Sequence, residues 1–484
     1  MPYDRRSPVR RLVILFLAVL VAAVLGAPAA IAQGGGQGEP TLDQASGGGA
    51  PKRTADYRQT LRDAVADIQA YWADEFPQLY GERYAPIPKA RIIAAHPGVK
   101  LPPCQGKRLT YHDAQDNAFY CYRSNFIAYD DVGLFPGLNR DFGRMAVALV
   151  LAHEWGHAIE DRAGNAGQDT ILKELQADCF AGAWLARVAN GESEKIELEG
   201  GNLDSALAAM LNFRDPVGTA ADEQDAHGSG FDRASSFQTG FDGGAEACVP
   251  FYDTRPIIFE VPFTDEQDAL RGGNMPAEDV IPTSVDLLND FYRQVEPAYV
   301  LKEVADIYAF DPSSKKTLPT CGGTRQSAET VRNRVFYCID DGNFGFDEPY
   351  LQHVYEDIGD FGVTTLLANP FATYVQTLQD FPGVNDNADN AVLGADCYTG
   401  GFAAAMFNGA LLLDDKTGES TVTLSPGDLD ETIAAYADYS QARGVQGLDV
   451  TFARLRAFRD GFFNGYETCS SYADTGSVLD QPSG

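Results

Sequence analysis

The eight cysteines fall into two sets of four, Cys104, Cys121, Cys179 and Cys248, then Cys321, Cys338, Cys397 and Cys469, and matching members lie 217, 217, 218 and 221 residues apart. Offsets this constant mean that the chain contains two copies of one folding unit. The neighbouring residues agree: "LPPCQGK" with "LPTCGGT", "AFYCYRSNF" with "VFYCIDDGNF", "ADCFAGA" with "ADCYTGG", and "FQTGFDGG" with "FRDGFFNG". A chain of 484 residues is also too long for one ordinary domain. The join falls in residues 249–280, where proline and glycine interrupt any periodic pattern. The expected organisation is a signal peptide at 1–32, a flexible linker at 33–55, a first domain at 56–250, a linker at 251–280 and a second copy at 281–484.

The amino terminus, "MPYDRRSPVRRLVILFLAVLVAAVLGAPAAIAQ", joins an arginine-rich start to an apolar run and an Ala30-Ile31-Ala32 site, the pattern of an exported precursor cleaved after Ala32. An uncleaved membrane anchor is the alternative, because the run from Leu12 to Ala27 is near the short end of what spans a bilayer. The Gly-rich stretch from Gly34 to Gly49 cannot bury enough apolar area to order itself and reads as a tether. The expected location is therefore extracytoplasmic, either secreted or N-terminally anchored, with no membrane contact beyond that segment.

An even cysteine count behind an export signal suits an oxidising compartment. Four cysteines allow three pairings, and retention of all four in both copies implies that each copy closes its own bridges. The expected pairs are Cys104 with Cys121, Cys179 with Cys248, Cys321 with Cys338, and Cys397 with Cys469. The net charge is −32, and because segment 1–32 carries four arginines against one aspartate, its removal leaves −35. Such a surface repels phosphate backbones, so nucleic acid is not an expected partner.

Residues 144–164, "RMAVALVLAHEWGHAIEDRAG", hold helix formers, no proline and a terminal glycine, and predict a largely buried helix. His153 and His157 then stack four residues apart on one face, the spacing for zinc, with Glu154 beside them as general base. The next helical stretch, "DTILKELQADCFAGAWLARVANG", places Glu174 and Asp178 four apart. Glu174 would complete a His-His-Glu site with an open fourth position, and Asp178 would fix a histidine tautomer; a solvated helix face is the plain alternative for both. Further on, "AHGSGFDRASSFQTG" brings His227 and Arg233, each a candidate oxyanion donor; the plain alternatives are that His227 holds a loop and that Arg233 pairs with one of the many carboxylates. His96, His112 and His353 read as ordinary histidines, and the acidic runs at 222–225 and 354–360 as solvated faces rather than calcium sites.

The second copy serves as an internal control. His153, Glu154 and His157 correspond to Asn369, Pro370 and Thr373, Glu174 to Val392 and His227 to Leu448, whereas Asp178 and Arg233 persist as Asp396 and Arg454. Residues lost as a set served one purpose, and zinc chemistry unites these. Pro370 would cost about 3 kcal/mol inside a helix and is expected to bend it.

The pieces "NAFYCYRSNFIAYDD", "LVLAHEWGHAIE", "ELQADCFAGAWLA", "HGSGFDR" and "FQTGFDGGAEAC" make roughly residues 100–250 similar to the bacterial putative neutral zinc metallopeptidase family. The resemblance implies an extracytoplasmic or membrane-tethered peptidase, zinc held at the positions of His153, His157 and Glu174, and Glu154 as base. The chain departs from the family pattern between His227 and Arg233 and in its appended ligand-free copy, which suggests a scaffold or substrate-gripping role for residues 281–484. The expected fold is α+β, two tandem, mainly helical, zincin-like domains, each with a small hairpin or sheet and two disulfides. The expected function is Zn2+-dependent hydrolysis of a peptide or protein substrate; the alternative is an inactive binding or assembly protein whose first copy keeps a structural zinc.

Overall fold

A computed structural model describes residues 57–473 except 166, 222, 224–225, 260–261, 264, 297–306, 382–388, 415 and 443–449. The proposed signal peptide, the whole of the tether, and Leu448 lie outside the described residues.

The first copy begins with α1 (Tyr57–Tyr80) and β1 (Ile92–Ala95), followed by β2 (Ala118–Cys121) and β3 (Phe126–Asp130). In this three-stranded sheet, β3 is central, parallel to β1 and antiparallel to β2. The helices α2 (Leu134–Asp141), α3 (Arg144–Ala163), α4 (Thr170–Ala189), α5 (Asn202–Leu211) and α6 (Gly230–Gly243) follow, then a 3₁₀ segment at Ala245–Tyr252. The α3 helix is apolar on nearly every side and forms the middle of the core; it stops at Gly164, whose φ of 85° closes the helix in the left-handed conformation.

The connector is more ordered than a Pro- and Gly-rich linker implies. Residues 251–280 contain α7 (Glu266–Arg271) and the start of α8 (Ala277–Val295), because Asp265 caps the first and the Pro276 φ suits the residue before the second. The second copy continues with β4 (Ile307–Phe310), the short pair β5 (Thr320–Cys321) and β6 (Thr324–Arg325), α9 (Ala328–Val331), β7 (Val335–Cys338) and β8 (Asn343–Asp347). Its sheet order, β4-β8-β7, repeats that of the first copy. The helices α10 (Glu348–Asp357), α11 (Asp360–Leu378), α12 (Asp389–Phe407), α13 (Asp428–Ala442) and α14 (Val450–Asn464) complete it, with a 3₁₀ segment at Tyr466–Ala473. The α11 helix runs through Pro370 as a single element.

All four cysteine pairs form as expected, Cys104–Cys121, Cys179–Cys248, Cys321–Cys338 and Cys397–Cys469. The second pair of each copy fastens α4 or α12 to the terminal 3₁₀ segment. Glycines bring the helices they fasten together. A Cβ on Gly182 would lie 1.9 Å from the Phe237 carbonyl oxygen and one on Gly240 1.8 Å from that of Cys179, and Gly400 and Gly461 stand equally close to Phe458 and Cys397. Helix α6 can therefore lie directly on α4, and α14 on α12, only while these positions lack side chains.

The copies are joined by an exchange. Phe231 of α6 is packed into the core of the second copy, against Phe458 and Phe462 with ring centroids 5.9 and 5.5 Å away. Phe452 of α14, the equivalent residue, is packed into the core of the first, against Phe237 and Phe241 at 6.2 and 5.0 Å. The caps are exchanged too: Asp430 of α13 accepts hydrogen bonds from the Gly230 and Phe231 amides, and Asp204 of α5 accepts from those of Thr451 and Phe452. Such i-to-j and j-to-i contacts are the mark of a twofold interface, here formed within one chain.

Phe452→Ala, although in the second copy, should destabilise the first by about 3–5 kcal/mol through the cavity it leaves. All three tryptophans, Trp72, Trp155 and Trp184, lie in the first copy's core, so urea unfolding followed by tryptophan emission reads this directly; an unchanged midpoint would contradict the exchange.

Candidate metal centre

On α3 the imidazoles of His153 and His157 stand on one face, with centroids 4.8 Å apart and planes at 85°. The α4 helix crosses close by because Gly156, between them on the chain, faces Ala177: a Cβ there would lie 2.6 Å from the Ala177 Cα. That approach brings the Glu174 carboxylate between the rings. Its Oε2 is 3.2 Å from His153 Nε2 and its Oε1 3.4 Å from His157 Nε2.

The remaining ring nitrogens face carboxylates. His153 Nδ1 is 2.7 Å from Asp178 Oδ1, and His157 Nδ1 is 3.0 Å from Glu160 Oε2. Ionised carboxylates only accept, so each Nδ1 carries a proton, which leaves each Nε2 as the nitrogen that would give its lone pair to a metal ion shared with Glu174. Tyr122 donates to Glu160 at 2.8 Å. On the other side, the Arg233 guanidinium grips Asp178 through Nε at 2.8 Å and Nη2 at 3.0 Å, and donates to the Phe213 carbonyl.

These residues fit a zinc ion. One ligand atom from each of His153, His157 and Glu174 lies within 4.8 Å of the others, and the 3.2 and 3.4 Å separations match the edge of about 3.3 Å that tetrahedral bonds of about 2.0–2.1 Å require. The charge also fits: Glu174 acts on both Glu154 and Glu160, and Asp178 on the other side is held by Arg233. Burial opposes a protonated His153, yet Asp178 and Glu174 outweigh it and bring the pKa up to about 9. What favours a proton there favours a metal cation. Burial also opposes the Glu174 charge, but the two histidines hold it well below the usual carboxylate range.

Glu154 is buried, its pKa is pushed up by that burial, and its Oε2 has no hydrogen-bond partner. His227 lies outside the ligand set: its Nδ1 is 3.2 Å from Asp215 Oδ1, its side chain is 41% exposed, and its pKa is raised first by that hydrogen bond and further by Glu174. Of the two expectations for Arg233, oxyanion donor or partner of a carboxylate, the geometry matches the second, since Asp178 and Phe213 engage its buried guanidinium. His96, His112 and His353 are exposed.

Glu160 was not among the expected site residues. Beside Asp161 and Arg162 it reads as part of a charged helix end, yet it is fully buried. The signal that could have found it is in the second copy, where the equivalent residue is Gln376, neutral and bonded to the Ala391 carbonyl. Asp178 by contrast serves two partners. In the second copy Arg454 still grips Asp396 at 2.7 and 2.8 Å, and Asn369 donates to it at 2.9 Å from the place of His153. Losing the aspartate would strand a buried guanidinium, which explains why it outlasts the histidines.

Two histidines one helical turn apart and a carboxylate from the next helix define a candidate zinc centre. The chain belongs to the family described as "Putative neutral zinc metallopeptidase", whose model matches residues 6–251 and thus the first copy. Among curated proteins it is similar to the Escherichia coli "Uncharacterized protein YpfJ", 32% identical over 155 residues (27% of this chain, 52% of that one). It is also similar to the Mycobacterium bovis "Uncharacterized protein Mb2605", 30% identical over 152 residues (26% and 52%). The chain thus spans about half the length of the curated relatives it matches. No solved structure matches it.

Glu160→Gln should weaken zinc binding about 10-fold by loosening His157, measured by competition with a chromophoric chelator. Asp178→Asn should in addition lower stability by about 3–5 kcal/mol by leaving Arg233 unpaired. Unchanged zinc affinity in Glu160→Gln would remove Glu160 from the centre.

Proposed function

We propose that the first copy is an extracytoplasmic zinc peptidase with Glu154 as its general base. The observation that carries the reading is the buried, unpartnered Glu154 Oε2, on the helix that aims His153 and His157 at Glu174. A free buried carboxylate oxygen carries a desolvation penalty, and a base beside the open position of a zinc site accounts for it. Four described disulfides and no helix long and apolar enough to cross a membrane among the described residues are compatible with the location.

His153, His157 and Glu174 would hold the metal and leave one position for water or substrate. Zinc, when bound, supplies a Lewis acid that lowers the pKa of a water to about 7 and polarises the scissile carbonyl. Glu154 takes the proton from the attacking water and delivers it to the departing amine. Asp178 and Glu160 keep the two imidazoles in the tautomer that binds metal. His227, steadied by Asp215 and half-exposed beside the centre, presents its other ring nitrogen as a donor to the oxyanion. Arg233 positions Asp178 and does not touch substrate. The substrate is a peptide or protein, and the acidic surface disfavours polyanions.

For the second copy the scaffold role is better supported than substrate gripping. Asp430 caps the helix that carries Arg233, and Arg233 holds Asp178, which holds His153.

Glu154→Gln keeps the shape and all three metal-binding side chains. It should lower cleavage of a casein-type substrate by about 10²–10⁴-fold while zinc content stays unchanged. Undiminished cleavage with zinc still bound would overturn the peptidase mechanism.

A further inference from the structure

The second copy contains a group of carboxylates with no counterpart in the first. Asp360 opens α11, and Asp428 and Glu431 lie in the first turn of α13. The acidic run at 354–360 reads in sequence as a solvated face, and Glu356 and Asp357 are indeed exposed, but Asp360 is only 4% exposed because it turns in against α13. Asp428 and Glu431 are equally enclosed, at 4% and 8%. One carboxylate oxygen from each of the three lies within 4.8 Å of the others.

Their known partners are too few. Asp360 Oδ2 accepts from the Met275 amide, Asp428 from the Ser425 amide and hydroxyl, and Glu431 Oε2 from the Phe361 and Gly362 amides. Asp360 Oδ1 is buried with no hydrogen-bond partner. The charged groups that act on Asp428 and Glu431 are all carboxylates, including Asp268 of α7. Among the described residues no lysine, arginine or histidine forms an ion pair with the three. Three buried acids without a cation are a costly arrangement.

The first copy again provides the control. Helix α3 starts at Arg144 where α11 starts at Asp360, and α5 starts at Asn202 where α13 starts at Asp428, so Glu431 corresponds to Ser205. None of the three is acidic, and Arg144 pairs outward with Glu199. The fold does not need acids at these positions, and the copy without the zinc ligands has all three.

We propose that Asp360, Asp428 and Glu431 bind a calcium ion. The donors are all hard oxygens close enough together to share one ion, and their enclosed setting leaves little room for the several waters that magnesium keeps, so calcium is the better fit. The ion would fasten α11 to α13, with Met275 of the connector bonded to one ligand. Because Asp430 lies between Asp428 and Glu431, the site shares the first turn of α13 with the cap on α6.

Equilibrium dialysis of the zinc-loaded mature chain against radioactive calcium tests this, with thermal unfolding in parallel. One calcium per chain is expected, with an affinity in the millimolar range or tighter, and saturation should raise Tm by about 5 °C. The double variant Asp428→Asn, Glu431→Gln keeps the acceptor oxygens and should lose both effects; if it does not fold, Asp360→Asn replaces it. His153→Ala should still bind calcium. No binding by the wild type at about 10 mM calcium, binding that persists in the amide variants, or binding lost in His153→Ala would overturn the proposal. A higher Tm in the amide variants without any calcium binding by the wild type would show that the three acids share protons instead.

Discussion

The exchange of Phe231 and Phe452 between the two cores fixes the position of α6, and the metal centre depends on α6. Each phenylalanine fills a space in the other copy that its own copy does not provide for it. Each is secured at its helix start by an aspartate from the opposite copy. From α6 the order passes inward through Arg233 to Asp178 and from Asp178 to His153. An exposed ion pair could not hold an imidazole in place, but a buried, bidentate one can, because neither partner has water to turn to.

This dependence explains what the second copy has lost and what it retains. Groups that would serve only a metal, the two histidines, Glu154, Glu174 and the Glu160 carboxylate, are replaced there by Asn369, Thr373, Pro370, Val392 and Gln376. Groups that hold helices together are kept: the disulfides, the paired glycines between α12 and α14, and Arg454 on Asp396. A unit that keeps its interface without the candidate metal-binding side chains still serves as half of an intramolecular dimer.

Much of this was legible in the sequence. The duplication, the disulfide pairs, the ends of α3 and the nearness of Glu174 to the two histidines follow from spacing, which local geometry translates directly into position. The burial of Glu160 and Asp360, and which carboxylate Arg233 would grip, were not legible, for a shared reason. Each is a charged residue in a locally polar stretch, and whether it faces water or the interior is decided by a helix distant in sequence. The exchange was hidden differently: Phe231 and Phe452 occupy equivalent positions in both copies, and nothing in either copy says that each points into the other. The connector's helices escaped notice because their proline and glycine residues mark helix ends as readily as they mark a loop.

The most direct test of the centre is the zinc content of the purified chain, beside that of Glu174→Ala. One zinc per chain is expected, with X-ray absorption showing two imidazoles and light oxygen or nitrogen donors, and it should be lost or greatly weakened in the variant. A chain that binds no zinc after reconstitution, or one whose single zinc is indifferent to Glu174, would contradict the His-His-Glu site.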